Sequence, residues 1–138
     1  MIDEMYVKTG QVRVVVKSFP VHGAAAELAA QAALCAAEQG KLWEYNDRLM
    51  ERYYMGDPVA SSAEGLKQVA ADLGLDTAAF SASLDGGKYA RQVQDEVAEA
   101  QALGVTAAPT FFVNDTKIVG AQPFETFQAA IDAALAGE

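Results

Sequence analysis

Residues 104–114 read GVTAAPTFFVN, and residues 117–120 read KIVG before an amphipathic segment that closes the chain. In this stretch Pro109 directly precedes a short aromatic and β-branched run, Thr110 to Val113. Proline cannot donate a ladder hydrogen bond, so it belongs at the first residue of a strand or on an edge strand. Because the run is too apolar for an edge, we predict a strand that begins after Pro109. A hairpin turn at Asp115 and Thr116 then leads to a second strand and a final helix.

The rest of the chain contains one more predicted strand and a block of helices. Gln11 to Phe19 includes four valines, a β-branched run that suits a buried strand. Between Ala24 and Leu103, apolar residues recur at helical spacing in five segments separated by glycine or by helix-capping residues. The caps are predicted at Ser61 or Ser62 and at Asp76. This order predicts an α/β protein in which a helical block interrupts the strands.

Several blocks of the chain resemble the DsbA-like branch of the thioredoxin superfamily, in the expected order. They are YVKTGQVR at 6–13, SFP at 18–20, ALCAAEQGKLWEY at 33–45 and GAQPFETF at 120–127, in addition to the proline and strand at 109–113. The resemblance implies a thioredoxin-like α/β fold with a helical insertion, lacking the first β-strand. It implies a single DsbA-like domain over 1–138, with the insertion at 24–103 and the thioredoxin-like part at 1–23 and 104–138.

The residues that carry the chemistry of this family have no counterpart in the chain. The family uses a Cys-x-x-Cys pair at the start of its first helix, whereas this chain has a single cysteine, Cys35, and residues 1–4 resemble the late part of that helix. The resemblance therefore implies an N-terminally truncated member of the thiol–disulfide oxidoreductase family that is redox-inactive as this chain. No catalytic residue is assigned, and no cofactor is expected.

Two other functions are compatible with the same fold. A non-catalytic module would keep the cis-proline loop and use it to bind extended polypeptides. An enzyme of the glutathione-transferase or isomerase type would need a polar residue after a first strand, which the chain lacks, so this third interpretation is disfavoured.

The resemblance assigns substrate binding to Ala108 and Pro109. In the family, the loop with a cis bond before proline lies against the dithiol, and backbone groups of the preceding residue hold an extended substrate, a form of β-augmentation. That residue is often Thr or Val in the family, so Ala108 departs from the pattern. The alternative is that Pro109 only shapes the turn.

The remaining candidate residues are interpreted as structural. Cys35 lies near the C-terminal end of its helix, where the helix dipole opposes a thiolate, and we predict that it is buried. Trp43, Tyr45, Tyr53 and Tyr54 could form a ligand cage, but aromatic residues at helical spacing more often belong to the core. His22 is the only histidine and has no spaced partner, so no metal site is expected.

Composition and charge limit the classes of partner that the chain can bind. The chain has 138 residues and a formal net charge of −9, with no basic stripe, which excludes binding to a nucleic-acid backbone. We expect no membrane span and no signal peptide, since Ile2-Asp3-Glu4 is acidic where a positive segment is required. The sequence alone does not assign a compartment, although the resemblance implies an extracytoplasmic one.

The absent first strand creates a problem of backbone pairing. In a thioredoxin sheet that strand pairs with the second strand on one side and with the hairpin on the other, so its absence leaves two apolar edges unpaired. We expect the chain to form a homodimer or strand-swapped assembly. Alternatively, Gln11 to Phe19 pairs directly with the hairpin in a rearranged sheet.

Overall fold

A computed structural model describes residues 1–137, apart from the side chains of Val59 and Ala60. A π-helical turn at Asp3–Val7 comes first, and a 3₁₀ turn at Pro58–Ser61 links the second and third α-helices. The other elements are α1 (Ala24–Ala37), α2 (Leu42–Tyr54), α3 (Ala63–Asp72), α4 (Thr77–Asp85), α5 (Ala90–Ala102), β1 (Thr110–Val113), β2 (Thr116–Val119) and α6 (Phe124–Leu135).

The chain divides into two compact units. The helical unit is Ser18–Glu99, and the α/β unit combines Met1–Lys17 with the chain from Ala100 onward. The α/β unit carries β1, β2 and α6, whereas the helical unit carries α1 to α4 and most of α5. This is the α/β arrangement with a helical insertion that the sequence predicts.

Short polar residues and glycine set the helix boundaries in the helical unit. Ser62 caps α3 by accepting a hydrogen bond from the Gly65 N–H at 3.1 Å, and Asp76 caps α4 through the Ala79 N–H at 3.0 Å. Both bonds satisfy N–H groups that the helix itself leaves without partners. At the end of α1, Gly40 has a φ of 71°, and the next N–H bonds back to the Ala36 carbonyl. This C-terminal turn directs the chain straight into α2.

Tyr45 of α2 lies at the centre of the helical core. Its side chain is fully buried, its hydroxyl donates to the Leu66 carbonyl at 2.9 Å, and its ring lies 5.5 Å from that of Phe80. Cys35 is also fully buried, which confirms the sequence prediction. The core consists of small residues on α1 and larger ones on α2 to α4: Ala32, Ala33, Cys35, Ala36, Tyr45, Leu49, Leu66, Val69, Ala70, Leu75, Phe80 and Leu84.

The prediction that the aromatic residues of α2 are core residues is wrong for three of the four. Tyr45 is buried, but Trp43 is 50%, Tyr53 64% and Tyr54 79% exposed. The reason is that α2 carries large apolar residues around most of its circumference, and only one face of a helix can pack against a single core.

In the α/β unit, β1 and β2 form an antiparallel hairpin. Thr110 lies opposite Val119, and Val113 lies opposite Thr116, so the turn residues are Asn114 and Asp115. The predicted turn lies one residue too far along the chain. Asn114 has a φ of 51°, a left-handed conformation that asparagine adopts more readily than most residues and that two-residue hairpin turns require.

Helix α6 supplies the apolar cover of this hairpin. The rings of Phe111 and Phe127 meet edge to face, with centroids 4.9 Å apart. Ile118 of β2 and Ile131 of α6 are buried, as is Tyr6 of the N-terminal turn. The Tyr6 hydroxyl donates to Asp132 on α6 at 2.6 Å, so the beginning and the end of the chain are joined within this unit.

The predicted strand Gln11 to Phe19 is not formed. Residues 11–20 have no regular secondary structure, and Val14, Val15 and Val16 are 46%, 58% and 41% exposed. In the part of the chain that the structure describes, the sheet contains β1 and β2 only, so the rearranged pairing with the hairpin is also wrong. The physical reason is that β propensity reflects packing on a sheet, and without a neighbouring strand a β-branched run gains nothing from the extended form.

The hydrogen bond of Tyr45 can be tested by removing a single oxygen. We expect Tyr45→Phe to lower the free energy of unfolding by about 1–2 kcal/mol, because the buried hydroxyl bond is lost while the ring still fills the core. The exposed Tyr53→Phe is the matched control and should change stability by less than about 0.5 kcal/mol. Urea unfolding followed by circular dichroism measures both, and equal values for the two variants would contradict the central role of Tyr45.

The buried thiol predicts a specific loss of stability at alkaline pH. Burial, with a smaller contribution from the Glu38 carboxylate, raises the pKa of Cys35 to about 11. An unfolded cysteine has a pKa of about 8.5, so between these values the unfolded chain loses a proton that the folded chain keeps. This contribution to stability is complete below pH about 8.5 and falls by about 1.4 kcal/mol per pH unit above it.

The measurement is the urea unfolding free energy between pH about 7.5 and 9, below the range in which most tyrosine and lysine side chains titrate. We expect a fall of about 0.8 kcal/mol in the wild type and a nearly flat profile in Cys35→Ala. A slope that persists unchanged in Cys35→Ala would show that another group is responsible.

Candidate functional site

The loop between α5 and β1 contains the predicted site residues Ala108 and Pro109, and its first half is held in place at three points. Gly104 ends α5 with a φ of 72°, and its carbonyl accepts a hydrogen bond from the Lys117 ammonium of β2. The next residue, Val105, is buried and bonds through its N–H to the Ala100 carbonyl at 2.9 Å. The loop therefore leaves the helix in a defined direction.

The second half of the loop is fixed to the hairpin. The Gly120 N–H donates to the Pro109 carbonyl at 2.8 Å, and the Thr110 hydroxyl donates to the Ala107 carbonyl at 2.6 Å. The peptide bond between Ala108 and Pro109 is cis, and both residues are exposed. Two exposed residues thus lie between two anchored segments.

Strand β1 has a free edge on the side away from β2. In an antiparallel pair, residues alternate between positions that exchange hydrogen bonds with the partner strand and positions whose backbone groups point away from it. The bond between Gly120 and Pro109 marks Pro109 as a hydrogen-bonded position. Thr110 and Phe112 therefore direct their N–H and C=O groups toward the other edge, where the described residues provide no strand.

The side chains beside this edge are apolar or cationic. Phe111 and Phe112 are each 41% exposed, and Lys117 lies opposite Phe112 on β2. We call the exposed loop residues Ala108 and Pro109, together with the open backbone groups of Thr110 and Phe112, the edge site. Such a site can hold an extended chain by main-chain hydrogen bonds, and it contains no group that could act as an acid, base or nucleophile.

Cys35 belongs to the helical unit, whereas Ala108 and Pro109 belong to the α/β unit. Its surroundings keep the thiol protonated, because burial raises its pKa to about 11. Glu38, three residues later, accepts hydrogen bonds from Lys88, from the Tyr89 hydroxyl at 2.5 Å and from the Ser83 hydroxyl at 3.1 Å. The Lys88 bond and the two hydroxyl bonds lower the pKa of Glu38. A carboxylate therefore lies near the thiol, and together with burial it outweighs the opposing effect of the Lys88 ammonium on the thiol pKa.

His22 is exposed, and within residues 1–137 no group of three His, Cys, Asp or Glu side chains is arranged to hold a metal ion. None of the described helices combines the length and the apolar character that a membrane crossing requires.

Sequence reasoning missed two residues that shape the site. Both lie on the hairpin and donate hydrogen bonds to carbonyl groups of the loop: Lys117 to that of Gly104, and Thr110 to that of Ala107. The signal for Thr110 was present, since a hydroxyl directly after a proline turn often bonds to a backbone carbonyl nearby. Lys117 could not have been found without the register of the hairpin.

The sequence is similar to parts of known proteins. The sequence model of the thioredoxin family matches residues 1–133. A Na⁺/H⁺ antiporter NhaA of Herminiimonas arsenicoxydans is 35% identical over 91% of this chain, and antiporter NhaA 3 of Salinispora tropica is 33% identical over 98%. The uncharacterized protein YwbO of Bacillus subtilis is 32% identical over 70% of the chain.

The chain spans only part of each of these proteins: 19% and 20% of the two antiporters and 48% of the Bacillus protein. The match to the family model, by contrast, covers nearly the whole chain. Together with the observed fold, it shows that this chain belongs to the thioredoxin family, as its resemblance to the DsbA-like branch predicts.

Proposed function

We propose that this chain is a DsbA-like domain of the thiol–disulfide oxidoreductase family that does not itself exchange disulfides. The observation that carries the proposal is the state of its single cysteine. Disulfide exchange needs an attacking thiolate and a second, resolving thiol. Cys35 is fully buried, has a pKa raised to about 11 and has no second cysteine in the chain.

The redox proposal is tested by insulin reduction with dithiothreitol. We expect the chain to leave the rate of insulin precipitation at its uncatalysed value, and Cys35→Ala to behave identically. A catalytically active thioredoxin provides the positive control. A rate above background that disappears in Cys35→Ala would overturn the proposal, because the buried thiol would then have to become accessible and reactive.

The second candidate function is the binding of extended polypeptides at the edge site. It is favoured by the geometry of β1, where the backbone groups of Thr110 and Phe112 face an open edge beside the exposed residues Ala108 and Pro109. An added strand would satisfy these groups, and the aromatic side chains of Phe111 and Phe112 would cover part of it. Main-chain bonds of this kind give affinity with little demand on the bound sequence.

The same edge supports the proposal that the chain forms a homodimer or a strand-swapped assembly. An open apolar strand edge readily pairs with another chain unless something covers it. The exposed run Val14 to Val16, which belongs to the same unit, is a strand-like segment that a second copy could contribute. Binding of a polypeptide and self-association would then compete for one edge.

A pair of proline variants tests the edge site. Phe112→Pro removes the N–H that points to the open edge, whereas Val119→Pro removes the corresponding N–H on the outer edge of β2, and neither changes a bond between the two strands. The probe is reduced and carboxymethylated insulin B chain carrying a fluorophore. We expect Phe112→Pro to weaken its binding by about tenfold and Val119→Pro to leave it within about twofold.

Light scattering on the same proteins tests the assembly. We expect a wild-type mass near twice the chain mass of 14.6 kDa and a monomer for Phe112→Pro. Circular dichroism verifies that both variants are folded. Equal binding by the two variants, or a wild type that is monomeric and does not bind the probe, would contradict the role of the edge.

A further inference from the structure

Helix α2 presents a second apolar face to solvent. Its core face carries Tyr45 and Leu49, which are buried. On the opposite side, Trp43, Asp47, Met50 and Tyr54 recur at intervals of four, three and four residues, the spacing that places side chains in one row along a helix. We call these four residues the aromatic stripe.

Such a row of large apolar side chains is unusual on the exposed face of a helix. Trp43 is 50%, Met50 47% and Tyr54 79% exposed. Tyr53 and Met55, 64% and 75% exposed, extend it at its C-terminal end, where the rings of Tyr53 and Tyr54 meet edge to face at 5.9 Å. Contiguous exposed apolar residues of this kind mark interaction surfaces, and Trp, Tyr and Met are typical of interface cores.

The charge within the stripe indicates the chemistry of the partner. Asp47 is exposed and makes no ion pair or hydrogen bond within the described residues. Its acidic neighbours on α2 are matched, because Glu44 pairs with Lys41 and Glu51 pairs with Arg48. An unmatched carboxylate between a tryptophan and a tyrosine favours a cation, which gains both the opposite charge and the face of an aromatic ring.

We propose that the aromatic stripe docks an amphipathic helix of another protein, one that carries Lys or Arg among its apolar residues. The stripe from Trp43 to Tyr54 is about 16 Å long, enough to contact about three turns of such a helix. Its apolar side chains would pack between those of the stripe, and its cation would meet Asp47. This surface lies in the helical unit and includes none of the edge-site residues or Cys35.

Charge argues against the other occupants. A second copy across a two-fold axis would bring two unmatched Asp47 carboxylates to one interface, and the stripe contains no cation to meet them. An anionic membrane surface would be repelled for the same reason. A basic helix, by contrast, is attracted both by the whole chain and by the stripe.

Trp43 is the only tryptophan of the chain, so its fluorescence reports on the stripe directly. The probe is a helical peptide built only from leucine and lysine with one apolar face, and its control has glutamate in place of lysine. We expect the lysine peptide to cause a saturable blue shift of the Trp43 emission that weakens as salt is added. The glutamate peptide should cause none.

Matched charge variants separate docking from general attraction to an acidic protein. Asp47→Lys and Asp95→Lys, on exposed positions of α2 and α5, change the net charge equally. We expect Asp47→Lys to weaken binding of the lysine peptide by at least about tenfold and Asp95→Lys by less than about twofold. Tyr54→Ser, which keeps the charge, should also weaken it by about fivefold.

Three kinds of outcome would overturn the proposal. The first is a failed test of the stripe itself, either equal weakening by Asp47→Lys and Asp95→Lys or binding that leaves the Trp43 emission unchanged. The second is a blue shift that depends on protein concentration without peptide, which would assign the stripe to a second copy. The third is a blue shift with vesicles of phosphatidylcholine and phosphatidylglycerol but not with the peptide, which would assign it to a lipid surface.

Discussion

The antiparallel ladder between β1 and β2 is the interaction on which the α/β unit depends. A two-stranded hairpin is only marginally stable in water unless another element covers it. Here α6 provides that cover through the contact of Phe127 with Phe111, and Tyr6 ties the N-terminal turn to α6 through Asp132. The ladder also positions the loop before it, because Lys117 and Gly120 bond to the carbonyls at its two ends. Exposed site residues and an open edge are therefore consequences of one short ladder.

The helical unit is held together by the packing of large side chains against small ones rather than by pairing of strands. The alanines of α1 allow its neighbours to approach closely, and Tyr45 fills the space between them while its hydroxyl satisfies the Leu66 carbonyl. Cys35 takes part as one more small residue in this packing. Because the core encloses this thiol, burial raises its pKa to about 11, so its packing role and its protonated state have the same cause.

The sequence predicted the parts of the fold that local chemistry controls, and it failed where a distant partner decides the outcome. Ser62 and Asp76 identify helix starts because a cap needs only its own N–H groups. The valines at positions 12, 14, 15 and 16 could not reveal that the described residues provide no neighbouring strand for this segment. Likewise, helical spacing alone could not tell which face of α2 meets the core, since Trp43 and Tyr45 are equally apolar candidates. At the edge site, Ala108 and Pro109 followed from the resemblance, whereas the support from Lys117 required the hairpin register.

The two proposed binding surfaces differ in how they would select their ligands. The edge site offers main-chain groups, which any extended polypeptide can satisfy, so affinity there depends on the conformation of the ligand more than on its sequence. The aromatic stripe offers Trp43, Asp47 and Tyr54, whose shape and charge depend on the partner's side chains. The net charge of −9 acts on both, because it favours basic ligands at either surface and opposes the approach of acidic ones. The two proposals therefore assign ligand selection to backbone conformation at one surface and to charge at the other.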